Sequence, residues 1–288
     1  MSAPAPGSLD EVALNDALTL RDGPDESLTV DVGPFHCVGA IGRQVLFGGM
    51  ASGLSVRAIE QRIGASPRWL TIQFVAPSPL GTTLSFSVER LFGKKLSQVS
   101  FRAKIGQQTV LAGLAAVGGA PGAPDIQAAV MPDAPAPQDC PLIHAHAHAD
   151  QDAHRHFEMR LIRGRFGIFS KTEVSDDGRV LVWMRPRTGA PDVAALAMMA
   201  DFIPSTSSNA VSARAGGSSL DHTFRLVQMK PTDWVLCEFR IDAIHDGVGH
   251  GTANLFATDG TLLAAGSQSY LIRILPMPSA PGSAKQHE

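Results

Sequence analysis

The chain reads as an α+β protein made of two fused units, each an antiparallel sheet wrapped around one central helix. Three observations predict this. A segment of helical period followed by four alternating apolar and polar runs occurs twice, at comparable spacing. A stretch rich in Pro, Ala and Gly, without a sustained period, separates the two copies. A short extended stretch precedes each helix, Leu28 to Val32 in one copy and Arg179 to Arg185 in the other. The expected division is residues 1–118 for the first unit, 119–156 for a linker and 157–277 for the second unit, with a frayed tail beyond. Such a tandem is the intramolecular version of a symmetric homodimer, and fusion lets the two copies diverge.

In the first copy the glycines of LFGGMASG open an apolar segment, Met50 to Ile63, whose spacing suits a helix. Arg68 to Ala76, Thr82 to Phe92, Leu96 to Ala103 and Thr109 to Val117 then alternate as half-buried strands do, with Leu84, Phe86 and Val88 set against Ser85, Ser87 and Glu89. In the second copy Pro191 precedes VAALAMMADF, a helical segment that Pro204 ends. Ser219 to Val227, Trp234 to Ile244, Gly249 to Ala257 and Leu262 to Leu275 follow as strands. The dipeptide Asp259-Gly260 between the last two predicts a type I′ hairpin.

Composition narrows the function classes. The 288 residues are 44% hydrophobic and 18% charged, ordinary for a globular protein. With 24 basic and 27 acidic side chains there is no global field to favour nucleic acid or an anionic membrane. A single Tyr and three Trp leave few platforms for stacking bases. No apolar run is long enough for a membrane span, and the N-terminus lacks a basic segment ahead of an apolar one, so a cytoplasmic protein is expected. Cys37, Cys140 and Cys237 lie far apart without a CxxC pair, as reduced thiols would. His144, His146, His148, His154 and His156 crowd into HAHAHADQDAHRH. A metal site and a solvated connector both fit that composition, and the absence of a fixed ligand spacing favours the connector.

Several ordered stretches resemble one family. VLFGGMASG, TIQFVAPSPLG, MMADF, SSLDHTFRL, TDWVLCEF and GSQSYLIR are similar, in order and spacing, to segments of the double-hotdog acyl-CoA thioesterase II family. The likeness covers nearly everything outside the tails and the linker. It implies a hotdog fold in each unit, hydrolysis of acyl-CoA to free acid and CoA, and no cofactor or metal. It also implies a water-holding set of Asp, Thr or Ser, and Gln from the second unit, which fall here on Asp201, Ser219 and Gln268. Ser219 stands for the more usual Thr, keeping the hydroxyl but losing the methyl that stiffens its rotamer. A His common in the strand after the Gly-Gly helix is replaced by Thr71.

The chemistry suits these residue types. A thioester carbonyl is reactive enough for water to attack it directly, given a placed water and donors for the developing oxyanion. Asp201 can act as general base, while Ser219 and Gln268 each donate and accept hydrogen bonds. Gly48 and Gly49 offer backbone N–H groups at a helix entrance. Met198, Met199 and Phe202 are candidates to line an apolar acyl channel, and Arg57, Lys94 and Lys95 to meet CoA phosphates. Ser219, Asp221 and His222 contain the ingredients of a nucleophilic triad but are near neighbours on one strand without a GxSxG elbow, which leaves Asp221 and His222 to structure. GVGHG at Gly247–Gly251 precedes a strand rather than a helix, so it fails as a dinucleotide loop. Enoyl-CoA hydration and non-catalytic acyl-CoA binding remain the competing functions. Homo-oligomerisation through the sheets also stays open.

Overall fold

The computed structural model describes residues 12–122, 124–143, 152–211 and 213–275. In the first half the main elements are β1 (Leu28–Asp31), α1 (Gly48–Ile63), β2 (Pro67–Phe74), β3 (Thr83–Phe92), β4 (Leu96–Ile105) and β5 (Gln108–Gly118). In the second they are β6 (Phe157–Arg163), β7 (Arg179–Pro186), α2 (Val193–Ala200), β8 (Ala215–Ser219), β9 (Asp221–Leu226), β10 (Val235–His245), β11 (Val248–Ala257) and β12 (Leu262–Ile274). Strand order is β1-β3-β4-β5-β2 in one half and β9-β12-β11-β10-β7 in the other, the same order about a pseudo-twofold. The halves join edge to edge through β2 and β9, where Thr71 stands opposite Thr223 and Ile72 opposite His222. This pairing satisfies the backbone groups of both free edges and makes one continuous antiparallel sheet.

Each helix lies inside the curve of its sheet. Met50, Ala51, Leu54, Val56, Ala58 and Ile59 of α1 are almost fully buried, as are all the residues of α2. Small side chains let the two helices approach: a Cβ added at Gly53 would lie 3.0 Å from the Met198 side chain. α1 ends at Gly64, whose φ of 84° fits a left-handed cap that a Cβ would strain. Asp192 caps α2, its carboxylate accepting from the Ala195 N–H at 2.9 Å. Val235, Cys237, Phe239 and Ile241 all face the core, as their alternation predicts.

Several expectations are revised. α1 begins at Gly48 rather than Met50, so both glycines are helical. The strand expected over Ser219 to Val227 is β9, Asp221–Leu226, and Ser219 instead ends a separate strand, β8, at Ala215–Ser219. β6 was not foreseen. The type I′ turn is at Asp246-Gly247, where φ is 47° and 77° and His245 pairs directly with Val248. At Asp259-Gly260 only the glycine has positive φ, 88°, and its N–H bonds to Ala257 C=O: a type I turn closed by a glycine bulge. The linker is in part a packed strap. Cys140, Ala129, Met131 and Ala134 cover Trp183, Leu236 and Phe256 on the face of the second sheet away from the helices, and Trp183 Nε1 donates to Pro135 O at 2.9 Å. His144, His146 and His148 lie outside the described residues. His154 and His156 are buried, and His156 Nε2 is 3.0 Å from Phe35 O. Among the described residues no helix is long and apolar enough to cross a membrane.

Candidate active site

Three distant segments bring Asp201, Ser219 and Gln268 together. Asp201 sits at the C-terminal end of α2, where φ and ψ of −80° and 0° turn the chain out of the helix. Ser219 is the last residue of β8, immediately before the break at Leu220. Gln268 lies in mid β12 opposite Gly251, on the inward face of the strand. Its amide nitrogen donates to Asp201 Oδ1 at 2.6 Å and to Ser219 Oγ at 2.8 Å, spending both its hydrogens on these two partners. Gln268 therefore fixes the distance between carboxylate and hydroxyl, and anchors the serine that lacks a stiffening methyl.

The remaining polar atoms are acceptors in a dry setting. Asp201 is 1% exposed and Gln268 3%. Asp201 Oδ2 and Gln268 Oε1 are buried without a partner at hydrogen-bond geometry. Burial pushes the Asp201 carboxyl well above the usual carboxylate range, against the opposing pull of the Gln268 amide and, more weakly, the Gly49 N–H. Unpaired buried acceptors cost free energy, so in native proteins they mark strain or a place for a bound polar molecule. A donor of water's size, presenting two O–H groups, would meet that need.

The first half also reaches this cluster. A Cβ placed on Gly48 would stand 2.6 Å from Asp201 Oδ2 and 3.1 Å from Oδ1, so glycine is needed there for space. Gly49 is equally confined, by the Phe47 ring at 2.4 Å and Met198 O at 2.9 Å. Both glycines therefore adjoin the second-half cluster. Their N–H groups belong to the first turn of α1, which no intrahelical carbonyl can satisfy.

Two neighbours were not foreseen. His222, expected to serve only structure, is fully buried, with Nδ1 2.9 Å from Ser52 Oγ and 3.8 Å from Asp201 Oδ1. Burial alone drives its pKa down to about 3, so the ring is neutral near pH 7. Ser52 on α1 carries no local sequence signal that would single it out. Asp221 turns to the Ser269 N–H at 2.6 Å, so the three neighbours do not form a nucleophilic triad. Thr71 contacts Thr223 across the seam, Oγ1 to Oγ1 3.3 Å.

Of the residues considered for substrate contacts, Met198, Met199 and Phe202 are fully buried. The Phe202 ring packs against Phe47, Phe157 and Phe166 at centroid distances of 5.1, 6.1 and 5.6 Å. The Arg57 guanidinium is paired with Glu60 at 2.9 Å and Asp192 at 2.5 Å, tying the two helices together.

Two family models match the chain. Residues 38–118 match the family described as the acyl-CoA thioesterase N-terminal domain, and residues 137–272 the acyl-CoA thioesterase C-terminal domain. A provisionally assigned thioesterase from Novosphingobium aromaticivorans is 31% identical, with a TM-score of 0.78 over 88% of this chain and 97% of that one. A hot dog fold protein of unknown function from Alicyclobacillus acidocaldarius is 21% identical, TM-score 0.77, covering 92% and 98%. An acyl-CoA thioesterase II from Mycobacterium marinum is 22% identical, TM-score 0.69, covering 93% and 99%. No curated protein sequence matches the chain significantly.

Proposed function

The chain belongs to the acyl-CoA thioesterase II family, with its double-hotdog fold, and from that premise we propose that it hydrolyses acyl-CoA by direct attack of a water held between Asp201, Ser219 and Gln268. The observation that carries the proposal is the convergence of a carboxylate, a hydroxyl and an amide, from residues 201, 219 and 268, with distances of 2.6 and 2.8 Å at their common point. Asp201 Oδ2 and Gln268 Oε1 are acceptors that a water's hydrogens would satisfy, and Ser219 Oγ fixes its orientation.

In the reaction Asp201 takes one proton from the water as its oxygen bonds to the thioester carbon. The carbonyl oxygen becomes an oxyanion, stabilised by the Gly48 N–H and the positive end of α1, while the Gly49 N–H stays on Asp201. Collapse breaks the carbon–sulfur bond, and Asp201 returns the proton to the departing thiolate. A carboxyl raised by burial suits both steps, since it is a stronger base than an exposed aspartate yet can still give up the proton. The acyl chain runs along α2, against Met198, Met199 and Phe202, whose thioethers and ring accept an apolar chain without polar cost.

The test is thiol release from a panel of acyl-CoA chain lengths. At least one should turn over, and Asp201→Asn should lower kcat by about a hundredfold or more, as expected for loss of a general base. Full activity in that variant refutes the assigned base. Binding of acyl-CoA without turnover at any length would make the protein a carrier, and water addition to an enoyl-CoA without thiol release would make it a hydratase.

A further inference from the structure

We propose that Ser52 and His222 are positioning residues for Asp201, a hydrogen-bonded pair by which the first half of the chain holds an imidazole against the carboxylate of the second. This rests on the reading of Asp201 as the base. Ser52 Oγ lies 3.0 Å from Gly48 O, one turn back on α1, and 2.9 Å from His222 Nδ1. A serine has one hydroxyl proton, and here the Gly48 carbonyl accepts it. The His222 contact then requires the proton on Nδ1, donated to Ser52 Oγ. That assigns the Nδ1–H tautomer and leaves Nε2 an acceptor, buried and unpartnered.

Two consequences follow for Asp201. With its Nδ1–H turned to Ser52, the ring packs beside Asp201, Nδ1 lying 3.8 Å from the Oδ1 that also accepts from Gln268, a contact beyond hydrogen-bond reach that bounds the carboxylate by shape and partial charge. On the other side Gly48, whose carbonyl accepts from Ser52, faces Oδ2 so closely that a Cβ would be 2.6 Å away. The carboxylate is thus bounded by one first-half turn through direct contact at Gly48 and through the Ser52–His222 pair. Both residues are completely buried, so the pair is not exchanged for water. The seam makes it: His222 belongs to β9, paired with Ile72 of β2, which brings a second-half imidazole over a first-half helix.

The test is steady-state kinetics of thiol release, with thermal unfolding as a control, on Ser52→Ala, His222→Asn and His222→Gln. Ser52→Ala should lower kcat about tenfold at unchanged KM, the rate equivalent of one ordinary hydrogen bond. Asparagine can place an amide N–H near the position of Nδ1, whereas glutamine reaches toward that of Nε2. His222→Asn should therefore stay within about threefold of wild type while His222→Gln falls about tenfold. A purely structural role would lower the melting temperature and leave kcat of the folded fraction intact. Wild-type kcat in Ser52→Ala, or an asparagine variant no better than the glutamine one, overturns the proposal. Should the His222 variants fail to fold, Ser52→Ala decides alone. Asp201→Asn, run beside them, separates the two ideas: full activity there overturns the reading of the base and this positioning role with it, whereas loss there with full activity in Ser52→Ala overturns the positioning role only.

Discussion

Alanine at Gly48 would probe the space around the carboxylate with a single methyl group. Gly48 is the first residue of α1 and does not have positive φ, so by propensity alone alanine would stabilise the helix by up to about 1 kcal/mol. The site opposes this. The new Cβ would lie 2.6 Å from Asp201 Oδ2, so the carboxylate must retreat by about 0.8 Å to reach ordinary contact. It cannot do so and keep its 2.6 Å bond to the Gln268 amide. Loss of that charge-assisted bond costs about 2 kcal/mol, leaving a net destabilisation of about 1 kcal/mol and a melting temperature lower by about 2 °C. With Asp201 as the proposed base, the effect on rate is larger, because displacing such a group by nearly an ångström costs about a hundredfold. Calorimetry and thiol release on Gly48→Ala measure the two effects separately. A variant that is both more stable and fully active would refute the claim that Gly48 is there to make room for Asp201.

Further outcomes rest on other parts of the structure. The Asp201 carboxyl is raised, so kcat should climb with pH through that elevated value, while folding stability falls earlier, from the unfolded value near 4 up to the elevated one, because the unfolded chain ionises where the buried carboxyl still holds its proton; unfolding of Asp201→Asn should lack that stability loss. His222 is depressed to about 3 against an unfolded value near 6.5, so its contribution is intact above pH 6.5 and declines below it. By pH 5 the loss reaches about 2 kcal/mol, and His222→Asn should remove that part of the acid sensitivity in denaturant titrations at pH 7 and 5. Gly249→Ala would set a Cβ 2.3 Å from the buried Tyr270 ring and disturb its contact with Ser207, costing about 3 kcal/mol by thermal unfolding with the three site residues untouched.

Periodicity made the two-unit plan legible, since apolar alternation in segments such as Val235 to Ile241 is a property of the local chain. The turns were harder, because two Asp-Gly dipeptides compete for the same signal. Strand twist and register decide between them: at Asp246-Gly247 the flanking residues pair directly, leaving a two-residue loop that demands positive φ twice. β6 opens the second unit, with Phe157, Met159 and Leu161 alternating with Glu158 and Arg160, but the repeat marks only one extended stretch ahead of each helix, at Arg179 to Arg185 in this copy. The Asp201, Ser219 and Gln268 set was reached through resemblance, and no local pattern would have joined residues so distant in sequence. Ser52 and His222 were out of reach for a related reason. Their meeting depends on the β2–β9 seam, whose register is a property of two folded sheets.

Single turnover in water enriched in ¹⁸O, with enzyme in excess over acyl-CoA and the protein mass recorded after quenching, bears most directly on water as the attacking group. The label should enter the free acid in the first turnover, with neither acyl mass nor ¹⁸O on the protein. Unlabelled first-turnover acid, with the heavy oxygen left on Asp201, or an acylated Ser219, would contradict the account.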